Sequence, residues 1–179
     1  MKKVLVISTS LRQGSNSEQL ADQFLKGAQS AGHQVTKIDL KQKDIKFCIG
    51  CLACHKCGSC ILHDDMEHIN DLMKQADVIV YATPVYFYEM SGQMKTLLDR
   101  TNPLYGSDYR FREVYILATA AEAHPETFDT LMNGVQGWVD CFPNVTIQGI
   151  VRGGDVTDSN EIQRHQELLQ QAYTMGVNL

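Results

Sequence analysis

Five of the six cysteines in this chain recur at strict intervals of three within FCIGCLACHKCGSC, residues 47–60: Cys48, Cys51, Cys54, Cys57 and Cys60. A thiol is a redox group and, as thiolate, a soft metal ligand, so such a run points to a metal site, free redox thiols or a disulfide. The opening MKKVLVISTS is a short β-branched run followed by polar residues with no cleavage-like site, and it reads as a strand, not a signal peptide. A cytoplasmic location is therefore expected, and reducing cytosol disfavours structural disulfides. Four thiolates in tetrahedral array could close on zinc, although zinc sites usually pair two CxxC units across a longer insert. CLACH, residues 51–55, spells the CxxCH of c-type haem attachment, but without an export signal and with thiols on both sides it reads as a chance match. Cys141, at the end of a helical pattern, reads as a small buried hydrophobe.

A second cluster follows the first apolar run. Ser8, Thr9, Ser10, Arg12, Ser15, Asn16 and Ser17 lead into a helix start, where free backbone amides and the positive dipole end favour an anion. The loop contains only Gly14, so it is neither GxGxxG nor GxxxxGK[ST], and a monophosphate suits it better than a pyrophosphate. A serine-rich cap on an ordinary helix is the plain alternative. A third stretch, TPVYFYEMSGQMKTLLDR at 83–100, offers Pro84, Val85, Tyr86 and Phe87, against which a planar apolar ligand could lie. Equally, these aromatics could cover a sheet edge or a subunit interface. His63, His68, His124 and His165 have no ligand spacing, and Asp39, without a glycine fingerprint, reads as an ordinary loop carboxylate.

The elements that must position these residues alternate. Apolar strands are expected at 4–8, 35–40, 77–82, 113–120 and 145–151, with TPVYFYEMSGQ a loop. Helical periodicity runs over 16–31 (Leu20, Phe24, Ala28), from Met66 to Ala76, over 93–100 and over 125–140, with a last helix carrying Ile162, Leu169 and Tyr173. Ser15/Glu18, Asp64/Glu67 and Asp158/Glu161 are capping-box pairs. Short apolar strands separated by helices imply a parallel sheet covered on both faces, a three-layer doubly wound α/β fold. The loops after the first, third and fourth strands then meet at the carboxyl edge, where such sheets bind ligands.

At 179 residues the chain is one domain, 1–179, with a cysteine-rich insertion at about 44–63. A net charge of −5 without a basic block removes the footprint of a nucleic-acid binder, and no apolar run is long enough for a membrane span.

SLRQGSNSEQLA after strand one, together with TPVYFYEMSGQMKTLLDR after strand three, resembles the NADPH-dependent FMN reductases of the flavodoxin-like superfamily. The resemblance implies a five-stranded sheet of order 2-1-3-4-5, with FMN as cofactor and NAD(P)H as co-substrate. It further implies that Ser10, Arg12, Ser15, Asn16 and Ser17 surround the FMN phosphate. Pro84, Val85, Tyr86 and Phe87 would line the isoalloxazine ring, and Thr119 and Ala120 would complete the site. Family members often carry glycines in that last loop, where this chain has ATAAEAH. The cysteine run in turn resembles the compact motif of iron-sulfur flavoproteins. Cys48, Cys51, Cys54 and Cys60 would hold a [4Fe-4S] cluster and Cys57 would be surplus, although the proline that usually follows the last cysteine of such motifs is absent. Zinc and ligand-free thiols, the latter packing on a neighbouring subunit, remain the alternatives.

The resulting expectation is an FMN-dependent oxidoreductase that takes hydride from NAD(P)H and passes electrons to a quinone or another acceptor. No side chain is assigned as catalytic; Tyr86 is a candidate for substrate stacking. The rival reading is an electron carrier that relays between protein partners through flavin and cluster, and a weaker one is a metal-stapled binding module. A homodimer or homotetramer is expected, with YFYEM and the cysteine segment at the interface.

Overall fold

The computed structural model describes residues 1–179. In chain order the elements are β1 (Lys3–Ser8), α1 (Asn16–Ser30), β2 (Gln34–Asp39), the single turn α2 (Cys54–Cys57), α3 (Met66–Gln75), β3 (Val78–Tyr86), β4 (Glu89–Met90), α4 (Gly92–Asp99), β5 (Glu113–Thr119), α5 (Asp129–Val139), β6 (Thr146–Gly153) and α6 (Gln166–Val177). Five strands run parallel in the order β2-β1-β3-β5-β6, the expected order once the short β4 is set aside. Strands buried on both faces must be apolar throughout, and Val4 to Ile7, Val78 to Ala82 and Val114 to Ala118 are all buried.

Two separate cores confirm the three layers. Leu20, Phe24, Ile162, Leu169 and Ala172 from the α1 and α6 side pack on one face of the sheet. Met66, Ile69, Met73, Met94, Leu97, Leu131 and Val135 from α3, α4 and α5 pack on the other. Helices α1 and α6 touch through glycine: a Cβ on Gly27 would lie 2.1 Å from the Tyr173 carbonyl oxygen, and one on Gly176 would lie 2.2 Å from that of Phe24. No helix is long and apolar enough to cross a membrane.

Five expectations need correction, the first being the last helix: Ile162 sits in a 3₁₀ turn, Glu161–Arg164, that precedes α6, and the Asp158 side chain caps neither. TPVYFYEMSGQ is not a loop: β3 continues to Tyr86 and turns back on β4, pairing Val85 with Met90 and Tyr86 with Glu89. The two turn residues, Phe87 (φ 52°) and Tyr88 (φ 66°), are left-handed. This is the backbone of a two-residue hairpin, which Asn-Gly usually provides, so two aromatics concealed it. The 125–140 segment is not one helix, because a 3₁₀ turn, Pro125–Phe128, precedes α5. Asp64 and Glu67 do not form a capping box. Asp64 accepts from the Met66 amide and faces inward, while Glu67 turns outward to His63. Cys141 is exposed, its thiol donating to the Gly137 carbonyl one turn earlier.

The candidate functional site

At the carboxyl edge of the sheet, the loops after β1, β3, β5 and β6 enclose an open cleft of about 170 Å³. Ser10, Arg12, Ser15 and Asn16 line one side, Pro84, Val85 and Tyr86 another, and Thr119, Ala120, Ala121, Val156 and Thr157 the remainder. The first three loops meet because β1 and β5 flank β3 in the sheet.

Each wall is held by short-range bonding. Ser15 caps α1, its hydroxyl accepting from the Glu18 amide at 3.2 Å; the Asn16 and Ser17 amides, at the first two positions of the helix, lack intrahelical acceptors and stay free for an anion. The box is half-formed, because the Glu18 carboxylate goes to Lys37 and Lys41 instead. Behind the loops, buried Thr9 bonds the Ala82 carbonyl at 3.1 Å and the Ser91 hydroxyl at 3.0 Å, and Thr83 also reaches Ser91, at 3.3 Å. This chain of hydroxyls locks the loop after β1 to both ends of the β3–β4 hairpin. The Ala120 amide donates to Gly153 and the Val156 amide to Ala120, so the loops after β5 and β6 are sewn together.

Two expected ligands serve the scaffold. The Asn16 carboxamide is occupied at both ends, donating to the Asp158 carbonyl (2.9 Å) and accepting from the Ile162 amide (3.1 Å), so it anchors the loop before α6. The Ser17 side chain is buried, bonded to Ser15, and does not line the cleft. Phe87, at the hairpin tip, is 100% exposed and also lies outside the cleft. Arg12 lines the cleft and donates to the Thr157 carbonyl. Ala121, Val156 and Thr157 were not anticipated; nothing in the sequence marks the loop after β6 as belonging to the site, because only sheet order brings it there.

The cysteine segment forms a second, narrow pocket of about 20 Å³, with Cys48, Cys51, Cys54 and Cys60 in its lining and Cys57 outside it. The turn α2 ends at Gly58 in the left-handed region (φ 72°). There Cys57 faces away, toward the Ala53 and Ser59 carbonyls. Hydrogen bonds from the Ser59 backbone and hydroxyl draw the Cys57 thiol below its usual pKa. Burial pushes the Cys54 thiol up, and the nearby Cys60 and Cys48 sulfurs add to the rise. Negative charge gathered on these sulfurs is thus self-repelling, and a cationic centre would relieve it. No three His, Cys, Asp or Glu side chains converge on one ion-sized site. A tetrahedral zinc would need sulfurs about 3.8 Å apart, given Zn–S distances of about 2.3 Å, and no three of these thiols form such a group.

The base of this pocket is Arg100, at the C-terminal end of α4 and only 1% exposed. Its guanidinium meets the fully buried Asp64 carboxylate in a fork, at 2.7 and 3.0 Å. Burial alone would raise the Asp64 pKa, but hydrogen bonds from Arg100 and from the Lys46 and Met66 amides hold it below the usual carboxylate value. Asp64 belongs to the ILHDDM that closes the cysteine motif but reads from sequence as a helix cap, and Arg100, at the end of the α4 pattern, has no spacing that marks it.

Residues 2–138 match the family model described as NADPH-dependent FMN reductase. An iron-sulfur flavoprotein of Archaeoglobus fulgidus is 33% identical over 138 residues, covering 75% of this chain and 62% of the relative. One of Methanocaldococcus jannaschii is 39% identical over 102 residues, 57% of this chain and 53% of the relative. The chain thus spans about half to three-fifths of the length of these relatives. An NAD(P)H:quinone oxidoreductase from Methanothermobacter marburgensis shares the fold across 99% of this chain and 98% of its own, with a TM-score of 0.75 at 15% identity. With well over half its length matched, the chain belongs to the NADPH-dependent FMN reductase family.

Proposed function

We propose that this protein is an FMN-dependent oxidoreductase that oxidises NAD(P)H and reduces a quinone or similar small acceptor. The observation that carries the reading is the convergence, in one cleft, of a helix N-terminus with an arginine and serine hydroxyls on one side and Tyr86 with flat backbone on the other. An amphipathic ligand with a phosphate at one end and a planar ring at the other fits that division. The Ser10 hydroxyl, the Arg12 guanidinium, the Ser15 hydroxyl and the first amides of α1 would hold the phosphate. Pro84, Val85 and Tyr86 would lie along the ring, with Thr119 and Ala120 closing the far side. Bound there, FMN would supply the hydride and electron chemistry. The chain's own residues orient the ring and leave one face open, and half-exposed Tyr86 would stack an incoming substrate. Reconstitution with FMN tests this: stoichiometric retention, and bleaching of flavin absorbance by NADH or NADPH with recovery on adding a quinone, are expected. Protein that retains no FMN refutes it.

The four-thiol pocket supports a second reading, an iron-sulfur flavoprotein that carries electrons between protein partners. Iron, sulfide and zinc analysis of anaerobically purified protein distinguishes the cases: about four irons per chain support the cluster, and stoichiometric zinc or no metal refutes it. Reduction by a ferredoxin-like donor but not by pyridine nucleotide would identify the carrier. We further propose a cytoplasmic homodimer or homotetramer meeting at the β3–β4 hairpin and the cysteine segment, where Phe87 and 77%-exposed Phe47 offer apolar surface. A monomeric mass by light scattering would overturn it.

A further inference from the structure

The C-terminal end of α4 is built toward the cysteine pocket more elaborately than a helix terminus requires. Arg100 Nη1 donates to the Lys46 carbonyl (2.6 Å) and to Asp64 (2.7 Å), and Nη2 to the Leu62 carbonyl (3.2 Å), to Asp64 (3.0 Å) and to the Cys60 sulfur (3.5 Å). Lys46 precedes the cysteines and Leu62 and Asp64 follow them, so one guanidinium ties the incoming and outgoing arms of the segment together. Asp64 closes the ring by accepting from the Lys46 amide at 2.9 Å. Two residues on, the Asn102 carboxamide donates to the Cys48 sulfur at 3.9 Å, long but within reach of a polarisable acceptor. The platform beneath is rigid: buried Asn70 on α3 donates to the Arg100 carbonyl at 3.1 Å, and Trp138 on α5 donates to the Thr101 hydroxyl at 2.9 Å.

We propose that Arg100 and Asn102 are positioning residues of the cysteine pocket. Arg100 clasps the segment so that four sulfurs face one space, and both residues supply N–H···S hydrogen bonds to the outermost two cysteines of the set. The redox part of this proposal rests on the reading that the pocket holds an iron-sulfur cluster. Hydrogen bonds to cluster sulfurs favour the state with more negative charge, so this shell biases such a centre toward reduction. Geometry selects arginine over lysine here, since an ammonium of the same charge cannot fork to Asp64 and reach both arms at once.

The test uses the full chain, metal-free and after anaerobic reconstitution with ferrous iron and sulfide. In metal-free Arg100→Lys, amide exchange over residues 44–63 should rise at least tenfold while β1, β3 and β5 stay protected, and iron uptake should fall severalfold. Asn102→Ala leaves the clasp intact: it should take up iron as wild type does, with its reduction equilibrium shifted threefold to tenfold toward the oxidised form, a tenfold shift being 59 mV for a one-electron couple. Wild-type exchange over 44–63 in Arg100→Lys overturns the clasp. An unchanged potential in Asn102→Ala overturns the redox bias. Wild-type protein that takes up no iron refutes the cluster reading and the redox part with it, whereas exchange in the metal-free variant still decides the clasp.

Discussion

Removing the Asp64 carboxylate should be among the most destabilising single changes in the chain. Asp64 and Arg100 side chains are 0% and 1% exposed, so neither charge is hydrated, and only protein groups pair them, the Arg100 Nε meeting no acceptor. In Asp64→Ala the guanidinium keeps two carbonyl acceptors but loses its countercharge, and the Lys46 and Met66 amides lose an acceptor each. Breaking one side of a buried pair costs about 3–5 kcal/mol, a large share of the roughly 5–15 kcal/mol typical of a whole domain. Equilibrium urea unfolding of the cofactor-free protein at pH 7 measures it. The double variant Asp64→Leu, Arg100→Met removes both charges and should lose less than the single change, because no ion is then stranded. A loss below about 1 kcal/mol in the single variant, or a double variant as unstable as the single, would refute the reasoning. The pH dependence follows in sign. Hydrogen bonding outweighs burial and holds the folded Asp64 pKa below its ordinary value of 3.8. Its contribution is therefore complete above the unfolded pKa and lost as pH falls through the lower folded one. Asp64→Ala should lack this component of acid unfolding below about pH 4.

Arg12→Ala should weaken FMN binding about tenfold or more, a charged hydrogen bond contributing about 1.5–3 kcal/mol; unchanged affinity by fluorescence quenching would remove Arg12 from the phosphate site. Gly27→Ala and Gly176→Ala each drive a methyl group into a carbonyl oxygen of the facing helix, at 2.1 and 2.2 Å, and should each cost about 3 kcal/mol in thermal unfolding, as severe overpacking does. The paired change Phe87→Asn, Tyr88→Gly relieves two left-handed aromatics and should stabilise the chain by about 1–2 kcal/mol; a lower melting temperature would show that the aromatics hold the turn in some other way.

The contrast between Ser15 and Asn16 shows how far sequence reasoning reaches. Both stand in a polar loop before a periodic helix, which suffices to place a cap and an anion-favouring helix end. The capping bond of Ser15 is local, made to a residue three positions on. Asn16 turns instead to residues more than 140 positions away, and no nearby spacing announces that partnership. The hairpin at Phe87 was missed for the opposite reason, since its turn is local but is made by residues that ordinarily avoid the conformation it needs.

Alternation of apolar strands with amphipathic helices determined the doubly wound sheet, because period and burial are properties of short segments. The likeness of the cysteine run to an iron-sulfur motif likewise singled out Cys48, Cys51, Cys54 and Cys60, which the uniform intervals of three do not by themselves distinguish from Cys57. Tertiary structure alone decided that the loop after β6 walls the cleft, that Asn16 is an anchor, and that Arg100 and Asp64 underlie the cysteine pocket. Those contacts join segments far apart in the chain, and their partners are chosen by sheet order and by the need to pair buried charge, which local spacing does not record.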